Sequence, residues 1–107
     1  MAMRFYVGNN TSGDPSWWLF GANDELAAWA GETFASESNA RRAALAFKAG
    51  AATASYEVYA DTGGNWRWRA RRASDKVAAS GESFDSKSNA ERAAVNVKDN
   101  ARYAPGP

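Results

Sequence analysis

The chain contains no cysteine and no histidine. The first absence excludes disulfides, thiolate ligands and thiol nucleophiles, and the second removes every histidine-dependent triad; together they leave no zinc or haem ligation of the usual kinds. Charge of one sign is missing too: thirteen Lys and Arg against twelve Asp and Glu leave a net +1, which excludes a chain that acts as a polyelectrolyte along its whole length. No stretch approaches the ~20 apolar residues that cross a bilayer, and residues 1–10 lack the apolar core of a signal peptide. The expectation is a cytoplasmic protein with no membrane partner, no metal and no cofactor. What is present is an ordinary globular balance, 45% hydrophobic and 23% charged, with an aromatic excess of five Trp, four Tyr and five Phe. At 107 residues the chain fits one domain.

The sequence matches itself. Residues 31–49 read GETFASESNARRAALAFKA and residues 81–99 read GESFDSKSNAERAAVNVKD, identical at 11 of 19 positions at an offset of 50. The same offset pairs Trp18 with Trp68. Upstream, Phe5-Tyr6-Val7 matches Tyr56-Glu57-Val58 if the first copy carries one extra residue in the turn between Asn9 and Ser16. No Pro-, Gly- or Ser-rich linker separates the copies, so we read one domain, residues 1–107, built of repeat one (3–52) and repeat two (53–104) around a shared core.

Within repeat two, Tyr56 to Tyr59 reads as a strand and Asp61-Thr62-Gly63-Gly64-Asn65 as a turn. Trp66-Arg67-Trp68-Arg69-Ala70-Arg71 then alternates ring or small residue with Arg, the period of a strand. Lys76 to Ser80 makes a third strand. Repeat one follows with Arg4 to Gly8, Trp17 to Gly21 and Glu25 to Ala30. Each copy ends in a helix: Ser36 and Ser86 are N-cap hydroxyls, and Ala40, Ala43, Ala44, Phe47 and Ala90, Ala93, Ala94, Val97 recur at i, i+3, i+4, i+7. Gly50 and Asn100 close the helices as residues suited to a left-handed C′ position. An Ala-lined helix face fills little volume, so the rings of Trp18, Phe20, Trp66 and Trp68 are expected beneath it, together with Phe34, Phe84 and Trp29.

The order of an aromatic strand, W-R-W-R-A, a turn, and then G-E-[ST]-F-x-S-x-S-N-A-x-R-A-A with a closing Lys resembles the YegP-like family, an uncharacterised prokaryotic-type domain about as long as one repeat here. The resemblance spans nearly the whole chain twice and is most specific at Trp66 to Arg69 and Gly81 to Lys98; Trp17-Trp18-Leu19-Phe20 departs from its aromatic–basic alternation. It implies an α+β fold, an internal duplication of a β-β-β-α unit forming a single antiparallel sheet with two helices packed on one face. It also implies a C-terminal strand that crosses to the other repeat, for which Ala101 to Ala104 is the candidate. It transfers no catalytic motif.

With those rings inward, the outer sheet face carries Glu57, Tyr59, Arg67, Arg69, Arg71 and Lys76 in repeat two and Tyr6, Trp17, Leu19 and Leu26 in repeat one. One half of the face is then basic and the other apolar. The preferred reading is a non-catalytic binding or interaction module, its candidate surface being Tyr6, Trp17, Leu19, Glu57, Tyr59, Arg67, Arg69 and Arg71. The Trp17/Leu19 patch would mediate self-association or meet a protein partner. The alternative is single-stranded nucleic acid or another polyanion on the Arg67/Arg69/Arg71 row, since guanidinium groups bind phosphates and neighbouring rings stack bases. The simpler account of that row is cross-strand ion pairing with Glu57. A third reading is carbohydrate stacking on Trp17 and Tyr6 with Asn9, Asn10 and Asp14 as hydroxyl partners, or weak enzymatic activity. Glu32 and Glu82 recur symmetrically, as a carboxylate pair would. The serines at the helix starts have no base to activate them.

Overall fold

The computed structural model describes residues 3–107. Its elements run β1 (Arg4–Asn9), β2 (Pro15–Phe20), β3 (Leu26–Trp29), α1 (Glu37–Gly50), β4 (Ser55–Ala60), β5 (Trp66–Arg72), β6 (Asp75–Ser80) and α2 (Lys87–Asn100). They form one six-stranded antiparallel sheet in the order β1-β2-β3-β6-β5-β4, an α+β fold in which both halves of the chain have the same sequence of elements. β3 and β6 join the halves at the centre, where Trp29 faces Ala79 across the ladder.

Local sequence signals set the helix starts. Ser36 Oγ accepts from the Asn39 N–H and Ser86 Oγ from the Asn89 N–H, both at 3.1 Å, satisfying donors that the first turn leaves unpaired. The buried stripes are Ala40, Ala44, Phe47 and Ala90, Ala94, Val97. The helix ends differ from expectation. Gly50 and Asn100 are the last helical residues, and the right-handed conformation continues into Ala51 and Ala101. Glycine at position 50 answers a different need, because the Arg72 guanidinium lies where its Cβ would be while donating to the Ala46 carbonyl at 3.0 Å.

The β1–β2 and β4–β5 turns are copies of one another. Asn10 Oδ1 accepts from the Ser12 and Asp14 N–H groups (2.9 and 3.0 Å), and Asp61 Oδ1 from those of Gly63 and Asn65 (2.9 and 3.0 Å). Beyond the turns, Phe34 donates to the Pro15 carbonyl and Phe84 to that of Trp66, each at 2.8 Å. Through these strands equivalent residues are therefore 51 apart, not 50: Pro15 matches Trp66, Trp17 matches Trp68 and Trp18 matches Arg69. The first half's extra residue lies in the β2–β3 turn, Gly21 to Glu25, and not between Asn9 and Ser16.

That displacement inverts β2. Side chains alternate faces with a period of two, so moving one residue between turns exchanges inside and outside. Trp17 and Leu19 are fully buried, whereas Trp18 and Phe20 lie on the other face, half-buried and outside the core cluster. Trp29, also expected inside, pairs with Trp18 and shares its outer face. In the second half Trp68 is fully buried as expected, while Trp66, on the same face by alternation, is half-buried, stands outside the core cluster and bridges to Phe84. The core is closed by Trp17 stacked on Phe47 at 5.2 Å and 20°, with Phe5 edge-on to Trp17 at 5.7 Å and Tyr56 against Trp68 at 5.7 Å.

The C-terminal segment makes no strand. Ala101–Tyr103 is a 3₁₀ turn, after which the chain crosses to the outer edge of β1, where the Phe5 N–H donates to the Pro105 carbonyl at 3.0 Å. Proline at 105 and 107 has no N–H with which to continue a ladder.

Candidate functional site

Cross-strand partners share a face, and the registers define a continuous lateral row over the side of the sheet away from the helices: Tyr6, Trp18, Trp29, Ala79, Arg69, Glu57. The left half of this row is aromatic and the right half charged. Next to it run Arg4, Phe20 and Leu26 on one side of the centre and Ser55, Arg71 and Lys76 on the other. Equivalent positions therefore carry opposite chemistry: Tyr6 matches Glu57, Trp18 matches Arg69, and Phe20 matches Arg71.

The aromatic half is a contiguous surface. Tyr6 is 53% exposed and its ring meets the Trp18 indole at 5.8 Å, tilted by 37°. The Tyr6 ring also lies across Gly8, where a Cβ would sit 2.5 Å from its hydroxyl, so the missing side chain at Gly8 is what lets the ring lie flat on the strand. Arg4 covers the Phe20 ring at 5.1 Å and pairs with Asp24 at 2.9 Å. Beneath this surface Ser16, outward by register, is sealed off by donating to the Glu32 carbonyl at 2.8 Å.

The charged half is a set of ion pairs. Arg69 donates to Glu57 at 2.6 Å, and Arg71 approaches the same carboxylate at 3.5 Å. Arg67 pairs with Asp61 at 3.1 Å. Arg69 also stacks over the Tyr59 ring at 4.5 Å. The hydrogen bond from Arg69, followed by the charges of Arg69 and Arg71, holds the Glu57 carboxyl below its ordinary range, and Glu57 in turn raises Arg69. Asp61 is lowered mainly by the Asn65 N–H, with Arg67 and the Gly63 N–H adding to it. Each guanidinium of the row thus meets a carboxylate, the arrangement that cross-strand pairing anticipates.

Of the residues singled out from sequence, Tyr6, Glu57, Tyr59, Arg67, Arg69 and Arg71 stand on this face. Trp17 and Leu19 do not; they are core residues, and the apolar patch expected of them is supplied by Trp18, Phe20 and Trp29. The signal for this was present in the chain, because Asn10-Thr11-Ser12-Gly13-Asp14 aligns without a gap to Asp61-Thr62-Gly63-Gly64-Asn65 only at an offset of 51. Leu26 and Lys76 lie at equivalent places over Gly81 and Gly31, each at the mouth of a small crevice between a helix and a third strand. Those crevices, about 90 and 150 Å³, hold Glu82 and Glu32 respectively. The two glutamates thus line separate crevices and do not flank one bond. Among the described residues no cluster of acidic side chains is placed to hold a metal, and no helix is long and apolar enough to cross a membrane.

Residues 61–105 match the sequence profile of a family described as a domain of unknown function, DUF1508. The fold is similar to the solution structure of yegP from E. coli, a protein of unknown function (TM-score 0.77, 17% identity, covering 94% of this chain and 87% of that one). It is equally similar to that of the UPF0339 protein SO3888 from Shewanella oneidensis (TM-score 0.79, 13% identity, 95% and 86% covered). No curated protein sequence matches the chain.

Proposed function

We propose that this chain, YegP-like in fold and carrying in its second half the pattern of a domain of unknown function, is a non-catalytic interaction module that docks a protein partner on the open face of its sheet. The observation that supports this best is the lateral row of Tyr6, Trp18 and Trp29, three adjacent rings on three strands that stand outside the core cluster. Large rigid rings bury much area at little entropic cost, and they concentrate at the centres of interfaces. The flanking Arg69–Glu57 and Arg67–Asp61 pairs give that apolar centre a polar border. The chemistry of catalysis gains little support by comparison, since the shifted carboxylates are those held by arginines or by turn N–H groups.

A second copy of the chain is the simplest partner to examine. Sedimentation velocity at rising concentration is expected to show association of the wild-type protein and a monomer for Trp18→Asp. A wild-type protein that stays monomeric up to ~1 mM, above the range of weak specific interfaces, removes self-association as the form of this docking.

Single-stranded nucleic acid is the second reading, favoured by three guanidinium groups at alternate positions of β5, roughly 7 Å apart, on the same face as the stacking rings. Their pairing with Glu57 and Asp61 weighs against it. Counterion release would make such binding fall steeply with salt, with a shallower slope in Arg67→Ala. Absence of binding to a single-stranded oligonucleotide at low salt ends this reading.

A further inference from the structure

The sheet has two outer strands, β1 and β4, and an edge strand presents unpaired N–H and C=O groups to whatever can lie beside it. In this protein the two edges are not in the same state. The β1 edge is covered by the chain's own tail. Beyond the Phe5–Pro105 hydrogen bond, Lys48 Nζ on α1 donates to the Gly106 carbonyl at 2.9 Å. Gly106 packs so closely that a Cβ there would stand 2.9 Å from the Phe5 carbonyl oxygen. A short extended segment is thus clamped between an edge strand and a helix by one strand N–H and one lysine.

The β4 edge has the same parts, and among the described residues no tail lies beside it. Tyr56 stands in register with Ala70 as Phe5 does with Leu19, so its N–H also points outward from the sheet. Lys98 stands in α2 where Lys48 stands in α1, and it makes no hydrogen bond or ion pair among the described residues. Between strand and helix runs a groove of about 320 Å³, walled by Tyr56 and Val58 on one side and Ala94 and Val95 on the other. Val95 is 53% exposed. Lys87 and Glu91 stand at the groove's border.

We infer that this β4–α2 groove is a binding site for an extended peptide of a partner protein, of the small, proline- and glycine-containing kind that the chain's own tail exemplifies at the β1 edge. The peptide adds to β4 by accepting from the Tyr56 N–H and presents a further carbonyl to Lys98, while its apolar side packs against Val58 and Val95. Strand addition beside a helix supplies affinity through main-chain bonds and selectivity through the groove wall. The site is on the sheet edge and the helix side, apart from the Trp18 row, and it stands or falls independently of the open face.

The test is an NMR titration of the isotope-labelled full chain with a synthetic peptide of the sequence of residues 101–107, Ala-Arg-Tyr-Ala-Pro-Gly-Pro. Shift changes are expected at Tyr56 to Val58 and at Ala94 to Lys98, saturating at ~1 mM as suits so short a segment. Lys98→Ala, a change on a helix surface that leaves the spectrum folded, should raise the half-saturation concentration at least ~3-fold by removing a charge-assisted bond. Trp18→Asp should leave it unchanged. The inference is overturned by a spectrum that does not move at ~10 mM peptide, by changes confined to Phe5 and Lys48 as the added peptide displaces the tail, or by equal binding to Lys98→Ala.

Discussion

The two halves of this sheet share their first turns, their helix caps and their buried tryptophans, yet their outer faces have almost nothing in common. Where the first half places Tyr6, Trp18 and Phe20, the second places Glu57, Arg69 and Arg71. Inner positions answer to one another across a shared core. Trp17 and Trp68 are both fully buried, as are Ala28 and Ala78. Outer positions are free of that demand, and there the halves have different chemistry. The comparison teaches where in such a fold function is to be sought: at the positions that packing does not specify.

The largest expected effect separates two adjacent tryptophans. Trp17→Ala removes a fully buried ring stacked on Phe47 and should cost ~3–5 kcal/mol in urea unfolding. Trp18→Ala removes a half-buried surface ring and should cost under ~1.5 kcal/mol. Equal costs would mean that the face assignment is wrong. In the second half Trp68→Ala should match Trp17→Ala. Trp68→Phe should be much milder, under ~2 kcal/mol, because the buried Trp68 Nε1 has no hydrogen-bond acceptor among the described residues and the phenyl ring removes that unpaired donor.

A smaller effect distinguishes the turns. Asn23, Asp24 and Ala73 all have left-handed backbones, at φ of 59°, 59° and 55°. Asn and Asp tolerate this conformation, whereas alanine's Cβ crowds the following carbonyl. Ala73→Gly should therefore stabilise the protein by ~0.5–1 kcal/mol, while Asn23→Gly should change little. Thermal unfolding of both variants checks the contrast.

The smallest effect concerns pH and belongs to the charged half alone. Glu57 and Asp61 have lowered carboxyl pKa values in the fold. Each contributes stability that is fully present above the unfolded-state pKa and is lost as pH falls through the folded one. The melting temperature should accordingly decline through the acid carboxylate range, and Glu57→Gln should flatten part of that decline. An unaltered pH profile for Glu57→Gln would show that its pairs with Arg69 and Arg71 carry no net stability, the usual result for exposed ion pairs.

Much of the architecture was legible from local signals. The Ser caps, the Ala stripes and the Asn10 and Asp61 turns each depend on residues within one turn of the chain. Trp66 to Arg71 declared its faces because polar and apolar residues alternate there. Trp17-Trp18-Leu19-Phe20 could not declare its own, since four apolar residues in succession fit either face equally well. Its orientation hung on which turn held the extra residue. The strand expected at Ala101 to Ala104 failed for a different reason: Ala101–Tyr103 winds into a 3₁₀ turn, and Pro105 and Pro107 beyond it lack the N–H groups that a ladder needs.

The sequence by itself determined the elements, their order and the opposite character of the two outer half-faces, because turn chemistry, capping and periodicity are carried by neighbouring residues. Which rings of β2 are buried was signalled in the chain by the turn alignment alone and was fixed by strand pairing, while only the tertiary structure decided which sheet edge the tail covers and which it leaves open. Those outcomes depend on register and on contacts between distant segments, and a strand has no preference for one face until its partners fix its pairing.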